Sequence, residues 1–153
     1  MSGWTTVTVR IVRLPNGADL PLPAVASSGS AGVDLRAAID ATLTIRPGER
    51  VLVPTGVALE LPPGFEGQVR PRSGLALERG LTLLNSPGTI DSDYRGEVRV
   101  VLIHLGQEPC RIERGDRIAQ LVIASVARPA FVEVDVLAPS DRGAGGFGSS
   151  GRH

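Results

Sequence analysis

Residues 85–97 (NSPGTIDSDYRGE), here called the central loop, carry side chains that could do chemistry. Asp91 and Asp93 offer carboxylates, and a carboxylate placed beside a water molecule can act as a general base. The stretch lies between two apolar runs, residues 81–84 and 98–105, and its Gly, Pro and Asx residues predict a loop between paired strands. Such loops often carry binding groups on a rigid scaffold. The structural alternative is that Asp91 and Asp93 only form turns through Asx hydrogen bonds.

A second stretch, residues 71–75 (PRSGL), indicates anion binding. Ser73 is placed to cap a short helix predicted at residues 75–79, and Gly74 allows a close backbone approach. Free N–H groups at a helix N-terminus bind phosphate, and Arg72 could add a charge-assisted contact. The alternative is that Ser73 only caps its helix.

Two further polar residues lie in predicted strands. In residues 31–36, alternation puts Val33 and Leu35 on one face and Asp34 on the other. Gln120 is the one long polar side chain in the apolar run of residues 118–126. Because a buried Gln is costly without partners, we expect Gln120 to make a specific hydrogen bond.

Residues 141–151 are rich in glycine, and by composition alone they predict a disordered tail. The chain contains only one Trp, one Tyr and three Phe residues, yet Phe147 lies in this tail and Tyr94 in the central loop. Neither belongs to a strand pattern. Flat side chains in such loops suit a flat ligand, since one base stacking on an aromatic ring contributes about 1–3 kcal/mol.

Short apolar stretches separated by Gly and Pro turns predict an all-β sandwich or barrel. Residues 4–14 alternate as a half-buried strand, and residues 43–45 and 51–61 flank a turn at 46–49, which predicts a hairpin. Further strands are predicted at residues 65–70, 98–105, 110–112, 118–126 and 131–136.

Composition excludes several functions. The 153 residues include 16 basic and 16 acidic side chains, and this zero net charge gives no electrostatic case for binding long nucleic acids or membrane surfaces. All the basic residues are arginines, which excludes a phosphate-loop lysine and Schiff-base chemistry. The single Cys110 excludes an internal disulfide. No apolar run reaches membrane-spanning length, and we expect a cytoplasmic protein.

Five segments, taken together and in order, resemble the five motifs of the trimeric deoxyuridine triphosphate nucleotidohydrolases, or dUTPases. They are residues 31–35 (AGVDL), 71–75 (PRSGL), 88–91 (GTID) with 94–97 (YRGE), 115–121 (GDRIAQL) and 142–151 (RGAGGFGSSG). The resemblance covers nearly the whole chain. It implies an all-β, jelly-roll-like distorted β barrel with one short helix at residues 1–138, a Gly-rich C-terminal arm at residues 139–153, and a homotrimer. It also implies hydrolysis of dUTP to dUMP and pyrophosphate with Mg²⁺, which keeps uracil out of DNA and supplies dUMP for thymidylate synthesis.

The resemblance also implies roles for individual residues. Asp91 is expected to be the general base that activates water for attack on the α-phosphorus, with Ser73 and Gln120 as further catalytic groups. Asp34 is expected to reach Mg²⁺ through water, because this metal retains waters and would be held mainly by the substrate phosphates. The expected substrate-binding set is Arg72, Ser73, Gly74, Asn85, Gly88, Thr89, Ile90, Asp91, Tyr94, Gln120, Arg142, Phe147, Gly148 and Ser149.

Within this set, Asn85 and the loop backbone are expected to read the uracil edge, with Tyr94 under the deoxyribose and Phe147 over the base. Arg72, Arg142 and Ser149 are expected to engage the outer phosphates. The resemblance further implies that each site draws on three subunits, so that the arm acts on a subunit other than the one supplying Asp91.

Two alternatives compete with this interpretation. The dCTP deaminases share the expected fold and several motifs, but their catalytic glutamate lies in the strand after the central loop, where residues 98–103 carry no acid. Deamination is therefore not expected. In the second alternative the protein is a non-catalytic jelly-roll module whose loops are only turns. An assay for pyrophosphate release from dUTP separates that module from the enzyme.

Overall fold

The computed structural model describes residues 6–147 and residue 149. This part of the chain forms ten β-strands, one α-helix and a 3₁₀ turn at Pro15–Gly17. The strands are β1 (Arg10–Arg13), β2 (Gly32–Arg36), β3 (Leu43–Ile45), β4 (Arg50–Glu60), β5 (Phe65–Arg70), β6 (Leu81–Leu83), β7 (Gly88–Ile90), β8 (Glu97–His104), β9 (Cys110–Ile112) and β10 (Arg117–Ser125), and the helix is α1 (Ser73–Arg79). Within these residues, no helix has the length and hydropathy needed to cross a membrane.

All the strand pairs are antiparallel. The first sheet has the order β1-β4-β8-β6, the second has the order β2-β10-β5-β7, and β3 pairs with β9 in a two-stranded ladder. The predicted all-β, jelly-roll-like fold is confirmed. The sheets of the described residues stay open and do not close into a barrel.

Both four-stranded sheets contribute to one apolar core. In β8, Val98, Val100 and Leu102 are fully buried, whereas Arg99 between them is exposed, as expected when successive side chains of a strand face opposite sides. Leu35 of β2 and Leu121 of β10 join this core from the second sheet. Each fully buried Val or Leu contributes about 1.5–3 kcal/mol, so the alternating strands largely determine the fold.

The predicted hairpin between residues 43–45 and 51–61 is wrong. Its turn does form, since the N–H of Glu49 donates to the carbonyl of Arg46 at 3.0 Å. However, β3 pairs with β9, placing Ile45 opposite Cys110, while β4 pairs with β1 and β8. Turn chemistry determines only where the chain reverses. Burial of Ile45 and its neighbours in the core determines which strand becomes the partner.

Two other predicted strands differ at the ends of the chain. The first begins at Arg10 rather than residue 4, although Val7, Val9 and Ile11 are half-buried in the predicted alternation, and residues 1–5 lie outside the described part. The predicted strand at residues 131–136 does not form, and its Phe131 is 94% exposed. A strand needs a neighbour to satisfy its backbone groups, and the described part of this chain pairs none with that segment.

Candidate active site

The central loop connects the two sheets. As predicted, the strands that flank it are paired, with Leu83 of β6 opposite Leu102 of β8. Unexpectedly, the loop contains β7, which leaves the first sheet and pairs with β5 of the second, placing Ile90 opposite Gly67. The loop is therefore held by backbone hydrogen bonds along part of its length, which keeps its side chains in defined positions.

The central loop forms one wall of a cavity of about 310 Å³, here called the loop cavity. Six of the predicted substrate-binding residues line it, namely Asn85, Gly88, Thr89, Ile90, Asp91 and Tyr94. Apolar side chains of the sheets, including Val69 and Leu83, and the polar Glu97 and Arg99 complete the lining. A concave pocket that combines apolar side chains with convergent polar groups is typical of a small-molecule site.

Asp91 is exposed at the end of β7. The turn that follows is closed by the backbone, since the N–H of Tyr94 donates to the carbonyl of Asp91 at 3.1 Å. Asp91 thus contributes its carbonyl to this turn, and no hydrogen bond from the described residues engages its carboxylate. The Asx-turn alternative for Asp91 is not observed, and the carboxylate is available for chemistry.

Tyr94 is fixed by its own loop. Its hydroxyl donates to the carbonyl of Glu97 at 3.0 Å, and its ring covers Gly96, where a Cβ atom would collide with the ring. The ring is 44% exposed and lines the loop cavity. The side chain therefore presents a flat, partly accessible surface. Such a surface is compatible with the expected place of Tyr94 under a deoxyribose.

Sequence reasoning assigned no role to Glu97 and Arg99. Arg99 Nε lies 3.2 Å from Glu97 Oε2, and both residues line the loop cavity. Burial raises the pKa of Glu97, but hydrogen bonds from Asn16, Gly56 and Arg99 together outweigh burial and hold the pKa below its ordinary value. The sequence does contain a signal for this contact. An acid and an arginine two residues apart lie on the same face of a strand, which predicts an ion pair.

A second cavity of about 360 Å³, here called the basic cavity, contains the other group of predicted residues. It is lined by Asp34, Arg72, Ser73, Arg117 and Gln120, together with the small residues Ala24, Ala26, Ser30, Ala31 and Gly32. Its two arginines and one acid give it a net positive charge. Such a cavity suits a phosphorylated ligand.

Asp34 connects the two arginines of the basic cavity. Its Oδ1 lies 2.9 Å from Arg72 Nε, and its Oδ2 accepts a hydrogen bond from Arg117 Nη1 at 3.2 Å. Asp34 also lies opposite Gln120 in the β2–β10 register. The Gln120 amide donates to the carbonyl of Pro71 at 2.9 Å, which confirms the predicted specific hydrogen bond.

The predicted cap at Ser73 is wrong. Arg72, with extended backbone angles, is the N-cap of α1 and makes no side-chain cap bond, while Ser73 is the first helical residue. The helix begins at Ser73, two residues earlier than predicted, so Ser73 lies inside the first turn and its hydroxyl takes no part in the cap. Ser73 is exposed at the cavity wall, and a Cβ atom on Gly74 would meet open space.

Among the described C-terminal residues, Arg142, Phe147 and Ser149 line neither cavity in this chain. Arg142 Nε donates to the carbonyl of Gly145 at 2.8 Å, and the N–H of Ser149 donates to the carbonyl of Gly146 at 3.0 Å. Phe147 is fully exposed. The remaining predicted arm residue, Gly148, lies outside the described residues.

The described residues contain no group of three or more His, Cys, Asp or Glu side chains arranged to hold a metal ion. In the basic cavity both carboxylate oxygens of Asp34 already contact arginines. This arrangement fits a cation that is bound mainly by a ligand's phosphates and reaches the protein through water, and it does not fit a cage of protein ligands.

Comparisons with known proteins agree on the family and the fold. The family described as dUTPase matches residues 18–151. The deoxyuridine 5'-triphosphate nucleotidohydrolase of Methylocella silvestris is 64% identical over 147 residues, covering 95% of this chain and 92% of the relative. The enzyme of the same name from Rhizobium etli is 60% identical over 149 residues, covering 96% of each chain. Among solved structures, the Staphylococcus bacteriophage 80alpha dUTPase with dUPNHPP has a TM-score of 0.86 at 28% identity, covering 96% of this chain and 100% of that one.

The fold defines the class as an all-β protein of antiparallel sheets. The chain belongs to the dUTPase family, the dUTP diphosphatases. The family predicted from the five motifs is thus confirmed. This membership argues against both the deaminase and the non-catalytic alternatives.

Proposed function

We propose that the protein hydrolyses dUTP to dUMP and pyrophosphate at sites that form between the subunits of a homotrimer. The observation that carries this proposal is the division of the predicted residues between the loop cavity and the basic cavity. The first has the aromatic ring and backbone edges that suit a nucleoside, and the second has the cations that suit a triphosphate. The close bacterial relatives are named deoxyuridine 5'-triphosphate nucleotidohydrolases, which supports the substrate.

The distance between the cavities supports a site shared between chains. Ile90 lies opposite Gly67, and Gln120 lies opposite Arg70. Because β7 is antiparallel to β5, Asp91 lies one residue further from Arg70 than Ile90 does. Asp91 and Gln120 are therefore offset by four residues along β5, or about 13 Å. They are also separated by two strand spacings, which adds about 10 Å across the sheet. A base and a residue that positions water must act within hydrogen-bond reach of one phosphorus. The loop cavity of one subunit would therefore meet the basic cavity of another.

Exposed apolar side chains support the assembly. On the outer face of the first sheet Leu52 is 55% exposed beside half-buried Val101 and Ile103, and in the C-terminal segment Phe131 and Leu137 are largely exposed. Contiguous apolar surface of this kind marks interaction sites. A closed threefold ring would repeat one subunit contact three times. In such a ring the exposed C-terminal segment of each subunit would reach a neighbouring subunit.

Asp91 would act as the general base. Its carboxylate is exposed in the loop cavity and is not used by the turn that it begins. It would take a proton from the water that attacks the α-phosphorus, and the bond from this phosphorus to the bridging oxygen of pyrophosphate would break. The reaction depends on positioning and on charge stabilisation, as phosphoryl chemistry does generally.

The basic cavity would hold the triphosphate. Arg72 and the backbone at Ser73 and Gly74 would contact phosphate oxygens, and Gln120 would position the phosphate chain or the attacking water. The Ser73 hydroxyl, free of the helix cap, would hydrogen-bond near the α–β bridge as charge builds on the leaving group. Arg142, Phe147 and Ser149, which contact neither cavity here, would arrive from a third subunit.

Magnesium fits the basic cavity as a cation carried by the substrate. Asp34 is the residue that would hold its water shell, and its carboxylate is kept in place by Arg72 and Arg117. When bound, the ion would neutralise charge on the triphosphate.

Selectivity would come from the loop cavity. Asn85 and the backbone of residues 88–90 would pair with the polar edge of uracil, and cytosine would place a donor where the loop requires an acceptor. Tyr94, held against Gly96, would pack on the deoxyribose and collide with a 2′-hydroxyl. The arrangement thus favours dUTP over dCTP and UTP.

The test is a pyrophosphate-release assay on purified protein with dUTP, UTP, dTTP and dCTP, run beside an ammonia assay with dCTP. We expect rapid release from dUTP, little from the other three nucleotides, and no ammonia. Sedimentation should give three times the mass of the chain. A monomer that hydrolyses dUTP at full rate would contradict the shared site, and absence of hydrolysis would contradict the function.

A further inference from the structure

The carboxylate of Glu97, at the start of β8, joins three segments of the chain. Its Oε1 accepts hydrogen bonds from Asn16 Nδ2 at 2.7 Å and from the Gly56 N–H at 2.9 Å, and its Oε2 accepts one from Arg99 Nε at 3.2 Å. The side chain is only 11% exposed. A buried carboxylate is stable in such a place only when donors satisfy it, and here three different donors do so.

The Gly56 N–H needs this acceptor because of a break in the strand ladder. The β4–β8 register shifts between Pro54 and Ala58, and Gly56 lies inside the shift with a φ of 71°. A Cβ atom on Gly17 would lie 2.6 Å from the Gly56 carbonyl, so the two segments cross in direct contact. Glu97 thus attaches the beginning of β8 to a rigid crossing point of the fold.

The backbone carbonyl of Glu97 holds Tyr94. The tyrosine hydroxyl donates to the Glu97 carbonyl, and the tyrosine ring rests on Gly96. The position of the ring is therefore set by where the backbone of residues 96–97 lies. That backbone is held both by the β4–β8 ladder, in which Glu97 lies opposite Ala58, and by the hydrogen bonds of the Glu97 side chain.

We propose that Glu97 is a positioning residue that sets Tyr94 in the loop cavity and thereby tunes the choice of deoxyribose over ribose. The inference rests on the proposed function, in which Tyr94 packs on the sugar. Glu97 lines the loop cavity, but both of its carboxylate oxygens are engaged by Asn16, Gly56 and Arg99. It acts through the backbone that supports the ring.

A carboxylate is needed because all three neighbours donate. Glutamine at position 97 would keep one accepting oxygen for Asn16 and Gly56, but its amide N–H₂ would face Arg99, which also donates. The mismatch would push the side chain and the backbone of residues 96–97 away from the crossing. A displacement of about 1 Å at a substrate-positioning group can cost up to roughly a hundredfold in rate.

The experiment compares Glu97→Gln with Thr55→Val. The Thr55 hydroxyl donates to the Val98 carbonyl, so Thr55→Val removes a buried bond between the same two strands without touching Tyr94. For each folded variant the ratio of kcat/KM for dUTP to kcat/KM for UTP is measured, together with the melting temperature. We expect Glu97→Gln to lower the ratio about tenfold and Thr55→Val to leave it within about twofold, although both variants melt earlier.

An unchanged ratio in Glu97→Gln would overturn the positioning role, and an equal fall in Thr55→Val would do so too, since general loosening would then explain it. If Glu97→Gln does not fold, Asn16→Ala takes its place, because it removes one of the donors to Glu97. The same ratio of kcat/KM values is then measured, and we expect it to fall by less than about tenfold but by more than in Thr55→Val. Tyr94→Ala separates this proposal from the proposed function. If Tyr94→Ala lowers the ratio and Glu97→Gln does not, only the role of Glu97 fails. If Tyr94→Ala leaves the ratio unchanged, the sugar contact of the proposed function fails and the role of Glu97 fails with it.

Discussion

The loop cavity and the basic cavity differ in how many segments of the chain line them. Most of the residues that line the loop cavity come from one continuous stretch, residues 83–101, and backbone hydrogen bonds to both sheets hold that stretch. The basic cavity collects residues from three distant segments, around residues 24–34, 72–73 and 117–120. The β2–β10 ladder, the hydrogen bond from Gln120 to Pro71 and the carboxylate of Asp34 between two arginines join these segments.

The difference indicates that the two cavities have different roles. A cavity built on backbone hydrogen bonds keeps its shape, so it suits discrimination among bases and sugars, where misplaced groups are costly. In the basic cavity the arginines are engaged by partly exposed ion pairs to Asp34, and such contacts can be exchanged for a charged ligand. We therefore expect substitutions in the loop cavity to change chemistry and selectivity, and substitutions in the basic cavity to change mainly the capture of phosphates.

The largest expected effect is at Asp91. Asp91→Asn keeps the shape of the side chain but cannot accept a proton, and loss of a general base typically costs about a hundredfold to ten-thousandfold in turnover. We expect kcat for dUTP to fall by that amount while the melting temperature and the affinity for a non-hydrolysable analogue stay the same. Asp93→Asn, two residues further along the same exposed loop, is the matched control and should keep its turnover. Equal turnover in Asp91→Asn and wild type would remove Asp91 from the reaction.

A smaller effect is expected from crowding the basic cavity. A Cβ atom on Gly32 would lie 2.9 Å from Gln120 Oε1, so Gly32→Ala must shift the Gln120 amide, whose nitrogen donates to the Pro71 carbonyl. We expect kcat/KM for dUTP to fall about tenfold. Gly29→Ala is the control, because the added methyl group meets open space in the same region of the chain. If both variants behave alike, the position of Gln120 does not matter for the reaction.

The smallest effect concerns pH. Because the pKa of Glu97 in the folded protein lies below its ordinary value of 4.5, the charged carboxylate contributes stability that is present above that value and is lost as the pH falls through the folded pKa. The free energy of unfolding of wild type relative to Glu97→Gln, measured with urea, should therefore be larger at about pH 7 than at about pH 3. The difference between wild type and Thr55→Val should not follow this trend, since no titrating group is changed. A wild-type advantage over Glu97→Gln that grows as the pH falls would reverse the assignment.

The sequence predicted the parts of the molecule that depend on local patterns. Apolar stretches between turn residues identified β8 and β10, and the position of Asn85, Gly88, Thr89, Ile90, Asp91 and Tyr94 in one loop anticipated that they would line one cavity. The partner of β3 could not be predicted in this way, because its pairing with β9 is determined by burial of side chains from distant segments. Nor could the sequence show that Ser73 begins its helix instead of capping it, since the two positions differ by a single residue.

Tertiary contacts also account for what the sequence analysis missed at the site. Glu97 had no assigned role because its donors, Asn16 and Gly56, are 81 and 41 residues away in the chain. The strand predicted at residues 131–136 has an apolar pattern but no partner within its own described chain. In the proposed trimer that pattern would be satisfied by a neighbouring subunit.

The central claim is that each active site combines the loop cavity of one subunit with the basic cavity of another. Two full-length variants test it most directly: Asp91→Asn, and Arg72→Ala combined with Ser73→Ala. Each should hydrolyse dUTP poorly alone. When they are unfolded together in equal amounts and refolded, roughly a quarter of the sites in a randomly mixed closed ring should pair an intact Asp91 with intact Arg72 and Ser73, and activity should rise to about that fraction of wild type. If mass measurement shows mixed trimers and the mixture stays as inactive as its components, both cavities serve one site within a single chain and the claim is wrong.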